Sequence, residues 1–269
     1  MLRSITEKFK LSKRQQFVTI TLLLTFELVS TQIFTGGLRL DVLFFLGLSA
    51  YVFAALVLRE ELKGWEFVTL LTLPAFYTMA VFLFYFLLPT RWLTRLPIAV
   101  LYAIGMYAIL LTENIYNVAA QRNIQLLRAA HSVGFLLTLV TLFFLVDTVL
   151  SLHLAFYFNM LLGILITFPL SLQALWSMEL LPHISPKIWL GTFVTTLLVT
   201  ELMLIFSFWP IRITIEALFI TTVFYSLVGM TQQYLVERLF SKTIREYVTV
   251  IVIVFVLVIL TTKWGVGIQ

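Results

Sequence analysis

The chain has 269 residues, of which 61% are hydrophobic and only 12% charged; it carries a formal net charge of +5 and contains no cysteine. A soluble domain of that size with so little charge would precipitate, so the composition excludes a water-soluble globule and requires burial in lipid. Without cysteine there are no disulfides, no thiolate metal ligands and no cysteine nucleophile.

Residues 1–16 are a basic N-terminal segment containing Arg3, Lys8, Lys10, Lys13 and Arg14. The first apolar stretch, 17–35, contains Glu27 and has no small-x-small cleavage pattern, so it reads as a retained span rather than a secretory signal. Further spans are predicted at 42–58, 66–88 and 97–112, the last preceded by Thr94 as a cap and opened by Pro97. After the polar stretch 113–132 come spans at 133–151, 154–176, 188–208, 212–231 and 247–264, with Ser185 and Pro186 marking the seventh start. About 20 helical residues cross a hydrocarbon core of about 30 Å, and most of these stretches approach that length. Their apolar runs are continuous rather than alternating, which argues against a barrel. The expected fold is therefore all-α, a single integral membrane domain over 1–269 with about nine spans. Pro74 and Pro169 fall inside spans and predict kinks.

The basic residues divide unevenly between the two sides. Arg3, Lys8, Lys10, Lys13, Arg14, Arg59, Lys63, Arg122, Arg128, Lys187, Arg238, Lys242 and Arg245 make 13 on the N-terminal side, against 5 opposite: Arg39, Arg91, Arg95, Arg212 and Lys263. The positive-inside bias predicts a cytoplasmic N-terminus and an external C-terminus. All six tryptophans lie within a few residues of a predicted span end, where an indole ring can be buried while its N–H stays wet.

Two groups of polar residues stand out. Asn114, Asn117, Gln121, Arg128 and His131 recur at helical spacing and predict one amphipathic helix over 113–132, lying in the cytoplasmic interface. On the functional reading, Arg122, Arg128 and His131 hold a phosphate while the carboxamides bind its substituent; on the bland one, the face is merely solvated. The second group comprises acids and an amide within spans. Glu27 lies about 15 Å from the inner end of its helix, and Asp147 and Glu201 about 20 Å from theirs. Asn159 and Glu216 lie nearer the outer edge, with Arg212 four residues before Glu216 as an ordinary ion-pair partner. A charge at membrane depth is costly, so Asp147 and Glu201 are expected to face a common cavity in the outer half, and Glu27, Asp147, Asn159 and Glu201 form a candidate proton or ion site.

Along Thr112-Glu-Asn-Ile-Tyr-Asn-Val-Ala-Ala-Gln-Arg-Asn-Ile-Gln-Leu-Leu-Arg-Ala-Ala-His131 the chain resembles uncharacterised multi-pass membrane proteins of bacteria, grouped as a domain of unknown function. The resemblance implies no activity, ligand or catalytic residue. It agrees with the lack of an Asn-x-Ser/Thr sequon in pointing to a bacterial plasma (inner) membrane.

Motifs for nucleotide binding and zincin hydrolysis are missing, as is a lysine within a span for a retinal Schiff base. The three histidines have no metal-ligand spacing, so neither a metal nor a cofactor is expected. The basic residues suit anionic membrane lipids as partners and do not suggest nucleic acid. Three function classes follow: transport or translocation of a small molecule or lipid, which the deep acids favour; an enzyme on a lipid-linked phosphate substrate, with His131 or Glu113 moving a proton; and a structural or assembly subunit bound to another membrane protein or to a second copy of itself.

Overall fold

The computed structural model describes residues 12–34, 40–58, 64–87, 92–119 and 126–262, without the side chains of 32–34 and 92–95. The described residues form α1 (Lys13–Phe34), α2 (Leu40–Leu58), α3 (Glu66–Phe86), α4 (Trp92–Ala119), α5 (Leu127–Ser151), α6 (Phe156–Glu179), α7 (Pro186–Phe206), α8 (Ile213–Leu235) and α9 (Ser241–Thr261), with no strand among them. Eight of these helices, α2 to α9, are long and apolar enough to cross a membrane. Helix α1 carries Lys13, Arg14 and Glu27 and is the least apolar of the set, yet it packs along both α2 and α4.

Hydrogen bonds between helix ends show which ends lie together. Lys13 Nζ donates to the Val57 carbonyl at 3.0 Å, joining the start of α1 to the end of α2. Asn117 Nδ2 donates to the Leu58 carbonyl at 3.1 Å, bringing in the end of α4. The Tyr116 hydroxyl donates to the Ala130 carbonyl at 2.9 Å, adding the start of α5. Gln232 Nε2 donates to the Ala174 carbonyl at 2.9 Å, placing the end of α8 against the last turns of α6. At the opposite end, Asn159 Nδ2 meets Ser207 Oγ at 3.0 Å, and Trp209 Nε1 donates to Thr262 Oγ1 at 3.1 Å. The helices thus run alternately up and down, and Lys13 and Thr262 lie at opposite ends of the bundle.

The Tyr116–Ala130 bond also corrects the reading of 113–132 as one interfacial helix. Fourteen residues of continuous helix would separate those two positions by about 21 Å. Instead, Glu113 to Ala119 complete α4 and Leu127 onward begins α5, the two helices lying side by side. A spacing of three or four residues is the same whether a polar stretch forms one helix or the two facing ends of a hairpin.

Smaller differences have local causes. Helix α4 begins at Trp92 rather than at Pro97, which sits within the helix. Ser185 caps α7 as its sequence predicts, its Oγ accepting from the Ile188 N–H at 3.4 Å with Pro186 in the first turn. Pro74 and Pro169 lie inside α3 and α6, which continue through them. The turn from α6 to α7 requires Leu180 at φ +51°, a left-handed conformation unfavourable for a side chain with a Cβ. Trp176, fully buried, holds that turn with its Nε1 donating to the Leu181 carbonyl at 2.9 Å.

Candidate functional site

At the Lys13 end, helices α5, α6, α8 and α9 border a groove of about 730 Å³. Its lining includes Arg128, His131 and Ser132 from α5, Tyr225, Gln232 and Gln233 from α8, Arg238 just beyond α8, and Tyr247 from α9. Farther along α5 the lining turns apolar, through Phe135, Leu136 and Leu139. From Arg128 to Leu139 the helix rises about 16 Å, so polar and apolar walls succeed each other over roughly half a bilayer.

The sequence places these side chains by helical periodicity and by two close approaches. Arg128, Ser132, Phe135 and Leu139 follow one another three or four residues apart, and with His131, three after Arg128, they share a face of α5. Tyr247 reaches the groove because Gly229 on α8 has no Cβ: one built there would lie 2.6–2.7 Å from the Tyr247 ring and hydroxyl. Tyr225 and Tyr247 then pack ring to ring at 5.2 Å. Both arginines are exposed, and among the described residues neither guanidinium bonds to the protein. His131 is half-buried, and its Nε2 donates to the Ser177 carbonyl at 2.8 Å, leaving Nδ1 as the ring nitrogen free to accept. Its ring lies 5.5 Å from that of Tyr116.

Behind His131 runs a buried polar seam. Glu113 on α4 is fully buried, and its Oε1 accepts from Gln173 Nε2 of α6 at 3.0 Å. Gln173 Oε1 in turn accepts from Thr138 Oγ1 of α5 at 3.4 Å. The other carboxyl oxygen, Glu113 Oε2, has no hydrogen-bond partner among the described residues.

The structure therefore brings together only part of each predicted set. Arg128 and His131 meet in the groove. Gln121 and Arg122 lie outside the described residues. Asn114 is half-buried on α4, and Asn117 is only 2% exposed, its amide spent on the end of α2 rather than on a headgroup. Glu27 is half-buried, with Ser49 Oγ 2.9 Å from its Oε2. Asp147 is buried, its Oδ1 without a hydrogen-bond partner among the described residues, while Asn159 is buried against Ser207. Glu216 is buried, its Oε1 without a hydrogen-bond partner among the described residues, whereas Arg212 is exposed. Glu201 is exposed on the outer surface of α7, whereas Asp147 is buried, so among the described residues the two are not brought together as expected. The buried stripe of α7 runs through Ile188, Thr192, Thr195, Val199 and Met203, and Glu201 lies about 180° from its middle at 3.6 residues per turn.

Sequence reasoning used Arg238 only for topology and passed over Tyr225, Gln173, Gln232 and Tyr247. A signal existed for Gln173 and Gln232: a carboxamide inside an apolar span faces protein far more readily than lipid.

An all-helical bundle with eight helices fit to cross a membrane defines a polytopic integral membrane protein. Residues 37–261 match the family described as "Protein of unknown function (DUF5656)", and the chain belongs to it. That stretch contains α2 to α9, and hence the whole groove and the polar seam, while α1 precedes it. No curated protein and no solved structure matches the chain.

Proposed function

We propose that the protein binds the phosphate-bearing headgroup of an anionic membrane lipid in the α5–α6–α8–α9 groove and transports or translocates that lipid, with the groove at the cytoplasmic face of a bacterial plasma membrane. The observation that carries this reading is the order of the lining: two arginines, a histidine and carboxamides at the bundle end, then Phe135, Leu136 and Leu139 deeper in. A lipid has the same order, an anion at the surface and a chain below it. Guanidinium groups suit phosphate because each can present two N–H donors to two oxygens, and the tyrosine hydroxyls and glutamine amides supply further donors. The anionic cytoplasmic leaflet would supply such lipids.

The test is lipid binding by purified protein, read by native mass spectrometry and by flotation with vesicles of phosphatidylglycerol or of phosphatidylcholine. Wild type is expected to retain anionic lipid. The R128A/R238A double variant should lose on the order of tenfold in binding or more, and R128K/R238K should recover only part, because lysine lacks the paired donors. Equal retention by wild type and the double alanine variant would overturn the proposal.

A further inference from the structure

A second groove, of about 750 Å³, runs between α1 and α2, away from the polar one. Its walls are almost wholly apolar, with Phe26, Phe45, Leu48 and Phe53 among them, and its polar features include the pair Glu27 and Ser49. Phe26 and Phe45 are 72% and 60% exposed, so their rings face whatever fills the groove. Glu27 lies about 21 Å along α1 from Lys13 and about 10 Å from Phe34, well inside the hydrocarbon depth.

The bonds of Ser49 suit a carboxyl that works in two states. Ser49 Oγ lies 2.9 Å from Glu27 Oε2 and 2.9 Å from the Leu46 carbonyl, but it has one proton to give. With Glu27 ionised, Ser49 donates to the carboxylate. With Glu27 protonated, the carboxyl donates to Ser49, which turns its own proton to Leu46. The same heavy-atom geometry serves both, and neither state leaves Oε2 without a partner.

We propose that this groove is a binding site, open to the lipid phase, for a lipophilic organic cation, whose charge is met by Glu27 and whose apolar substituents lie against the phenylalanine rings. Charge complementarity selects this occupant: among the described residues, the groove lining holds one acid and no basic side chain. A small inorganic cation would find too few oxygens, since the lining offers one carboxylate and the hydroxyls of Ser30, Thr31 and Ser49, short of the roughly six to eight oxygens of a calcium-like shell. A bulky cation with delocalised charge needs no such shell, and aromatic faces attract it, most strongly where water is excluded. The volume falls within the range of small-molecule pockets. Helix α1 precedes the stretch matched to the family, whereas α2 lies inside it, so this site joins the two parts of the chain. It does not depend on the lipid-headgroup reading of the polar groove.

The experiment uses tetraphenylphosphonium as the cation and the full-length protein in detergent micelles. Equilibrium dialysis is expected to show saturable binding near one per chain, reduced roughly tenfold or more in E27Q and less in F45L, which removes one aromatic face. A second readout uses only wild type: dicyclohexylcarbodiimide, which modifies carboxyls reachable from lipid, should label Glu27, and saturating tetraphenylphosphonium should protect it. Peptide mass spectrometry reads the adduct, so the test survives a variant that fails to fold. Unchanged cation binding in E27Q, or labelling of Glu27 that the cation does not diminish, would overturn the proposal.

Discussion

Gln173 is the side chain on which the buried seam depends, because it spends both ends of its carboxamide on other helices. Its amide donates to Glu113 of α4 and its oxygen accepts from Thr138 of α5. Replacing it with leucine would leave Glu113 without the one donor it has, since Oε2 already lacks a partner among the described residues. Gln173→Leu is therefore expected to destabilise the protein by about 1–3 kcal/mol, the cost of orphaning a buried acceptor. Thr138→Val should cost less. The one Thr138 hydroxyl proton is shared between Gln173 Oε1 at 3.4 Å and the nearer Gly134 carbonyl at 2.9 Å, and that carbonyl accepts within the helix as well. Thermal unfolding in detergent, followed by tryptophan fluorescence, compares the two. Equal midpoints for Gln173→Leu and wild type would show that another donor reaches Glu113.

At the scale of the helix, α9 is the wall that decides the shape of the polar groove. Apart from Val258 its described side chains are exposed or half-buried, and the helix packs along α8 through Tyr225–Tyr247 and Phe219–Phe255. Gly229 permits that approach. A Gly229→Ala methyl would fall 2.6–2.7 Å from the hydroxyl end of Tyr247 (Oη, Cζ and Cε1), so that ring, or α9 with it, would have to shift. Gly229→Ala is expected to lower stability by roughly 1–3 kcal/mol, as overpacking does, and to weaken lipid retention together with it. Thermal unfolding and native mass spectrometry report the two effects, and undiminished lipid retention would remove Tyr247 from the site. Most helices were readable from the sequence because a run of about 20 apolar residues has one outcome in lipid. Which face points inward was not. On α7 Thr192 and Thr196 are buried while Phe193 and Leu197 meet lipid, the reverse of the water-soluble pattern, and this is why Glu201 seemed fit for a cavity. The groove was half legible. Arg128 and His131 share a local period, whereas Tyr225, Gln232, Arg238 and Tyr247 join them only through packing between helices distant in sequence.

For the whole molecule, the up-and-down order of the helices converts one sidedness measurement into the orientation of every site. Of the 13 basic residues on the N-terminal side of the 13-to-5 division, the described ones, Lys13, Arg14, Arg128, Lys187, Arg238, Lys242 and Arg245, lie at the Lys13 end. Positive-inside bias therefore predicts that this end, and the polar groove with it, faces the cytoplasm. The chain has no cysteine, so single substitutions report cleanly. Leu154, exposed in the turn between α5 and α6, and Lys242, exposed in the first turn of α9, lie at opposite ends. A membrane-impermeant maleimide applied to intact cells, or to spheroplasts where an outer membrane intervenes, is expected to label Leu154→Cys. Lys242→Cys should react only after the membrane is opened. The reverse result would turn Arg128 and Arg238 away from the negatively charged cytoplasmic surface. The polar groove would then have to draw its anion from the external leaflet, and the source of lipid assigned to it would be wrong even if the phosphate chemistry held.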